Sequence, residues 1–318
     1  MTCSVILICY NQVDLIEEAL RGILSQRELP EQVIVADDGS SDGTQQKILE
    51  FVSTYCLDSW VLLLSPTNRG INQNFQEAIS LVTSDILIGM AGDDISLDNR
   101  IGDAKRLMVK NDADIICMSG MLIDRAGSKI GMVSFEDELL RGVDAVIKRG
   151  FIGVNPVGFA IRMSLFSNFG ALNLTLPNED DQIAFRALLG KGLLTSSIVC
   201  YKYRIHSGSQ SSWLRDKSTV QDFIINFKRD IHVRLNTLVE WKSLMRKAES
   251  CSELEVLIDI KIKLYSKAVQ RTLTIWDRFC TLFRFRSFGI REYLFFGFGE
   301  GGLVFYFLLR NLRRAFWN

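Results

Sequence analysis

Several things are scarce in this chain. Histidine occurs twice in 318 residues. Cysteine occurs seven times, an odd number with no C-x-x-C pair, which excludes a disulfide framework and suits a reducing cytosol. Cys9 and Cys117 sit inside apolar runs, where a reduced thiol acts as a small hydrophobe. Net charge is absent too: Lys+Arg and Asp+Glu both number 37, so no polyanion and no nucleic acid is expected as partner. No internal repeat or low-complexity tract interrupts the sequence. The N-terminus lacks a basic n-region, and the apolar run from Val5 to Cys9 is too short for a signal peptide, so the chain is expected to begin directly with structure. With hydrophobic residues at 47% and charged residues at 23%, a sizeable core is available and disorder is excluded. The length allows one large domain or two ordinary ones.

Strand and helix patterns alternate at the start. Ser4 to Cys9 is a β-branched apolar run, read as a strand buried on both faces. Leu15 to Leu24 has helical spacing. A second strand, Gln32 to Ala36, precedes a helix from Thr44 with Ile48, Leu49 and Val52 on one face. Val61 to Leu64 and Asp85 to Met90 read as strands around a helix from Asn74 to Val82. Such alternation predicts a parallel α/β sheet with right-handed crossovers. Further on, Ile101 to Val109 reads as helix, Asp114 to Met118 as strand, Ile147 to Phe169 as irregular, Asp181 to Leu189 as helix and Ser197 to Tyr203 as strand. Val220 to Arg278 reads as two or three helices.

In an open parallel sheet, ligands bind at the carboxyl ends of the strands. Three polar clusters fall there: Tyr10-Asn11, Asp37-Asp38-Gly39-Ser40 and Gly92-Asp93-Asp94. Acids at a phosphate site make sense when a cation such as Mg²⁺ or Mn²⁺ bridges carboxylate and phosphate oxygens. A carboxylate can also accept an N–H from a nucleotide base. The alternatives are ordinary: Asp, Gly and Ser are what turns and helix N-caps prefer, and a pair of acids also suits a solvated loop.

The segments SVILICYNQ, EEALRGILSQ, VIVADDGSSDGT, NRGINQNFQEAI, GDDISLDNRI, NEDDQIAFR and YRIHSGSQSS, in that order over residues 4 to about 212, resemble the inverting glycosyltransferases of family 2. The resemblance implies a GT-A-type, Rossmann-like, mostly parallel sheet flanked by helices, as a catalytic domain over residues 1–212, followed by a helical extension over 213–318. It implies a nucleotide-sugar donor, and roles for individual residues. Asp38 would take the base N–H of a pyrimidine nucleotide, with Cys9, Tyr10 and Asn11 walling that pocket and Gly92 beside it. Asp93 would bind Mn²⁺ or Mg²⁺ with Asp94 as the adjoining acid, and His206 would close on metal and diphosphate. Asp180 would be the base, paired with Glu179. Arg69 and Arg204 read as phosphate contacts or as partners of the site's own acids. The family's usual D-x-D-D begins here with Ala91, which bears on donor identity. Displacement at an anomeric carbon needs a stabilised leaving group and a base on the opposite face, and an acid-flanked carboxylate supplies the second.

Each residue also has a plainer reading. Glu179, Asp180 and Asp181 would suit the first turn of a helix, and His206 an ordinary polar role; His232 reads as structural or solvated. Two rivals stand beside the transferase: a sugar nucleotidyltransferase, whose Gly-rich loop is missing from CYNQVDLIEEA, and a non-catalytic homologue binding nucleotide or membrane. Gly297 to Gly302 satisfies G-x-G-x-x-G, but no βαβ unit surrounds it.

The last block is basic and aromatic. From Lys261 onward, eleven basic residues face three acids. Tyr293 to Leu309 is short for a spanning helix and is broken by four glycines and Glu300. Its Arg flanks suit residues 279–318 lying on an anionic leaflet, or else packing on protein. The expected setting is cytoplasmic, peripheral on the inner face of the membrane, with a glycan or lipid-linked acceptor.

Overall fold

A computed structural model describes residues 1–143, 145, 158–176, 179–206, 219–248, 253–270, 272–274 and 295. By contacts the chain divides into two units: Met1–Gly142 with Gly153–Ser207, and Val143–Ile152 with Gly208–Asn318. The expected boundary at residue 212 lies outside the described residues.

The first unit is built on one ten-stranded sheet. Its strands are β1 (Cys3–Cys9), β2 (Gln32–Asp37), β3 (Val61–Leu64), β4 (Ile86–Ala91), β5 (Ile95–Ser96), β6 (Ile115–Ile123), β7 (Lys129–Val133), β8 (Glu138–Leu140), β9 (Phe159–Arg162) and β10 (Leu193–Arg204). The main order is β3-β2-β1-β4-β9-β6-β10-β5, with β7 beside β6 and β8 beside β10. Parallel ladders join β3, β2, β1 and β4. β9 lies antiparallel to both β4 and β6, and β10 is parallel to β6. The six strands β3, β2, β1, β4, β6 and β10 therefore run the same way, and their carboxyl ends meet at one edge.

Helices α1 (Ile16–Leu24), α2 (Thr44–Thr54), α3 (Ile71–Ser80), α4 (Arg100–Asn111), α5 (Ser164–Phe169) and α6 (Glu179–Leu189) complete the unit. Side chains alternate along a strand, so Val5, Leu7 and Cys9 of β1 share a face and pack with Ile16, Ala19, Leu20, Ile48, Phe51, Ala104 and Met108. The opposite face takes α3, whose Phe75 ring lies 3.8 Å from where a side chain on Gly89 would begin. Ile6, Leu7, Ile34 and Val35 are fully buried, each contributing about 1.5–3 kcal/mol by removal from water.

Three expectations change. On α2 the buried face uses Ile48 and Phe51, while Leu49 is exposed, because a 3.6-residue period turns Leu49 outward. The stretch read as irregular holds β9 and α5 in its described part. Short strands β5, β7 and β8 were not expected either; each is stabilised by pairing with a distant strand rather than by a local pattern of its own.

In the second unit, α7 (Val220–Lys247) and α8 (Glu253–Val269) are two helices in mutual contact. Thr219 caps α7 by accepting the Asp222 N–H at 3.1 Å, and Lys242 pairs with Asp259 across the two helices. Phe223, Phe227, Ile231, Leu238, Trp241 and Met245 form the buried stripe of α7. Of the expected membrane-facing tail only Phe295 is described: it is buried, its ring 5.2 Å from that of Phe227. Among the described residues, no helix is long and apolar enough to cross a membrane.

Candidate active site

The acids after β2 lie in two environments. Asp37 is fully buried and works for the turn: it accepts from the Ser40 N–H at 2.8 Å, the Ser40 hydroxyl at 2.5 Å and the Gln45 amide at 2.6 Å. Asp38, 4% exposed, accepts the backbone N–H groups of Arg69 and Gly70, each at 2.8 Å. It thereby fixes the turn that leads into α3, and each oxygen keeps lone-pair capacity. Gly39 has φ +74°, and a Cβ there would lie 2.3 Å from the Thr67 carbonyl carbon, so only glycine lets these two loops touch.

The Tyr10-Asn11 loop is stitched to the same place. Asn11 has φ 52°, donates its N–H to Ser40 Oγ at 2.8 Å and accepts the Ser41 N–H at 2.9 Å. Tyr10 is left 46% exposed, an aromatic face at the rim beside Asp38's loop. Cys9 does not wall the pocket with its side chain. Its thiol turns into the core, donating toward Asp37 Oδ2 at 3.4 Å, and burial, aided by the Asp37 charge, pushes it well above its ordinary value.

At the end of β4, Gly92 donates its N–H to Ile8 at 2.9 Å, and a Cβ there would strike Gln12 at 2.4 Å and Cys9 at 2.8 Å. The close approach of β4's end to β1 therefore requires glycine. Next to it, Asp93 Oδ2 lies 2.9 Å from His206 Nε2, joining positions 113 apart. Both side chains are about one-tenth exposed. Asp94 is nearly inaccessible; its Oδ1 accepts the Arg204 N–H at 2.8 Å and its Oδ2 is buried with no hydrogen-bond partner. Burial, then the Asp93 charge, raises the Asp94 carboxyl well above the usual range, and Arg100 and Arg204 oppose the rise.

Arg69 and Arg204, read as phosphate contacts or as partners of the site's own acids, both pair with acids of this chain. The Arg69 guanidinium pairs with Glu77 at 2.5 Å. Arg204 is 1% exposed, its guanidinium bonded to Glu18 and to main-chain carbonyls. These partners satisfy the guanidinium inside the protein, as a buried charge requires.

Glu179 and Asp180 form the first turn of α6, where the helix dipole favours acids. Burial, then the Asp180 charge, pushes Glu179 up to about 7. Burial raises Asp180 as well, against backbone hydrogen bonds that lower it. A frame of polar side chains holds the preceding loop: Arg186 donates to the Gly170 and Ala171 carbonyls, Gln182 exchanges bonds with Asn173, Asn72 donates to the Leu176 carbonyl and Gln76 accepts the Leu172 N–H. Sequence reasoning missed Gln182, Asn72 and Gln76; for Gln182 the signal was its i,i+4 spacing to Arg186, while Asn72 and Gln76 have no local signal.

Among the described residues no three His, Cys, Asp or Glu side chains gather into a preformed metal cage. The set still fits Mn²⁺ or Mg²⁺ as bound with a nucleotide. Such ions use one or two carboxylates and take further oxygens from phosphates and water, and here Asp93, His206 and Asp94 Oδ2, which has no hydrogen-bond partner among the described residues, would supply the protein's share.

A sheet of this order brings acids, an aromatic rim and a histidine to the carboxyl ends of its co-directional strands, where an open α/β sheet binds its ligands. The glycosyl transferase family 2 model matches residues 4–172, more than half of the chain, and the chain belongs to that family. It is 32% identical over 160 residues to an uncharacterized protein of Mycobacterium tuberculosis, a match covering 48% of this chain and 45% of that relative, so the chain spans less than half the length of such relatives. To the Escherichia coli UDP-Glc:alpha-D-GlcNAc-diphosphoundecaprenol beta-1,3-glucosyltransferase WfgD it is 23% identical over 245 residues, 74% of this chain and 92% of WfgD. Among solved structures, residues 1–349 of Staphylococcus aureus TarS in complex with UDP superpose with a TM-score of 0.58 at 15% identity, covering 96% of this chain and 88% of that fragment. The Pyrobaculum calidifontis mannosyltransferase PcManGT in complex with GDP-Man and Mn²⁺ gives 0.52 at 16% identity, with 95% and 84% covered. These structural likenesses establish the GT-A-type fold.

Proposed function

We propose that the chain transfers a sugar from a nucleotide diphosphate, UDP-linked, to an acceptor hydroxyl with inversion at the anomeric carbon. The contact between Asp93 and His206 carries this reading: it builds a cation- and diphosphate-binding edge from two strand ends 113 residues apart. UDP in TarS and UDP-Glc in the name of WfgD support the choice of nucleotide. Residues 1–212 serve as the catalytic domain, with 213–318 as a helical extension.

Within it, Tyr10 and Asn11 flank the base and Asp38 accepts its N–H with the lone pairs left over from Arg69 and Gly70. Asp93 and His206, with Asp94 behind them, would hold Mn²⁺ or Mg²⁺, which would supply neutralisation of the charge developing on the diphosphate. The Mn²⁺ in PcManGT supports that choice. Asp180 removes the proton of the incoming hydroxyl; burial raises its carboxyl, and burial with the Asp180 charge pushes the neighbouring Glu179 up to about 7. A single displacement then inverts the centre.

A panel of nucleotide sugars, followed by nucleotide release and thermal shift with and without Mn²⁺, tests this. UDP-sugars should be hydrolysed slowly in a metal-dependent way and stabilise the fold by about 2.7 kcal/mol at a hundredfold excess over Kd. A chain that binds UDP yet turns over no sugar would be the non-catalytic homologue instead.

The acceptor fits a lipid-linked glycan of cell-surface polysaccharide synthesis, as the diphosphoundecaprenol acceptor in WfgD's name supports. The basic, aromatic block over 279–318 would then hold the enzyme on the inner leaflet. Each Arg near an anionic surface adds about 1 kcal/mol, screened by salt. Replacing Arg310, Arg313 and Arg314 by Gln should therefore lower binding to anionic vesicles about 10²-fold at low salt and leave neutral vesicles unaffected. Equal flotation of both proteins would assign the block to the helical unit, in line with Phe295 stacked on Phe227.

A further inference from the structure

We infer that Arg204 is a positioning residue that sets the Asp93–His206 pair in register, and is not a ligand of the diphosphate. The inference rests on the reading of the site just given. Arg204 ends β10, and five hydrogen bonds tie it to three other segments. Its main-chain N–H meets Asp94 Oδ1 at 2.8 Å, and its Nε meets the Asp93 carbonyl at 2.9 Å. Nη1 donates to the Asp124 and Arg125 carbonyls at 3.3 and 2.6 Å, in the turn between β6 and β7. Nη2 donates to Glu18 Oε2 of α1 at 2.8 Å. Four of these come from the guanidinium, which has five N–H groups in all, and the residue is 1% exposed. A phosphate could reach it only by displacing Glu18 or the carbonyls.

The geometry explains why this residue matters to the metal edge. Asp93 and Asp94 lie on the loop leaving β4, while His206 lies two residues beyond Arg204, and β4 and β10 are not neighbours in the sheet. The short ladder of β5 with β10, Ile95 opposite Lys202, brings the loop to the end of β10. Arg204 extends that hold past the ladder, clasping the Asp93 main chain with its side chain and the Asp94 side chain with its main chain. The Ile205 N–H to the Ile123 carbonyl at 2.9 Å keeps the next residue in register, so His206 emerges facing Asp93. The guanidinium also places a positive charge among buried acids, with half-exposed Glu18 as its counter-ion. Lysine, a point charge with three donors, cannot span the same set of acceptors.

Two full-length variants test the inference: Arg204→Lys, and Glu18→Gln, which lies outside the site and keeps the fold. Calorimetry reads UDP affinity with and without Mn²⁺, and UDP-sugar hydrolysis reads the Mn²⁺ half-saturation, kcat and KM separately. Arg204→Lys should weaken the Mn²⁺ response about 10–100-fold and lower kcat, with metal-free UDP affinity within about twofold of the parent. Glu18→Gln should move the Mn²⁺ response in the same direction by about threefold, with Tm within a few degrees. Loss of metal-free UDP affinity in Arg204→Lys would make it a phosphate ligand and overturn the inference. A fall in Tm with an unchanged Mn²⁺ response in both variants would overturn it as well, leaving a purely structural brace. If the parent protein itself shows no Mn²⁺-dependent UDP binding, the reading of the site fails, and that outcome is separate from any variant's behaviour.

Discussion

Asp93→Ala abolishes metal-dependent UDP binding and lowers transfer by about 10³-fold, the loss expected when roughly 4 kcal/mol of leaving-group stabilisation is withdrawn. The fold survives the change. Asp93 is a small side chain whose carboxylate contacts His206, and removing its charge relieves the buried Asp94 beside it. Calorimetry with UDP and Mn²⁺, beside a melting curve, checks both halves. Unchanged affinity in the variant removes Asp93 from the site, and a collapsed melting curve makes its role structural.

Asp180→Asn separates chemistry from binding. The amide keeps shape and hydrogen bonding but cannot take a proton, so donor affinity should persist while transfer falls about 10²–10⁴-fold. The pH dependence follows from the same pair. A base works in its ionised form, and burial has moved the Glu179 carboxyl from the ordinary range up to about 7, with Asp180 raised alongside. Activity is therefore lost as pH falls, starting above the ordinary aspartate range, by about tenfold per unit once the base is mostly protonated, and levels off at higher pH. A profile flat down to pH 5, or near-normal transfer by Asp180→Asn, would assign the base elsewhere, with Asp181 the first candidate.

Much of the fold was legible residue by residue. β1, β2, β3 and β4 lie where their β-branched and aliphatic runs predict, since a strand buried on both faces needs apolar residues throughout. Helices α1, α4 and α6 follow from their spacing. Asp38 and Asp93 stand just past strand ends, where parallel topology alone puts a binding crevice. The short strands were not legible, because each depends on a partner far along the chain.

The sequence by itself therefore determined the order of elements from β1 to β4, the shared direction of those four strands and the acids at their ends. Local periodicity and turn chemistry encode all three through neighbours a few residues apart. Only the tertiary structure decided that antiparallel β9 would separate β4 from β6, that His206 would meet Asp93 across 113 residues, and that Arg204 would be spent inside the protein. Those outcomes depend on sheet order and register, which many distant pairings share between them, and on the requirement that a buried guanidinium find every partner within the fold.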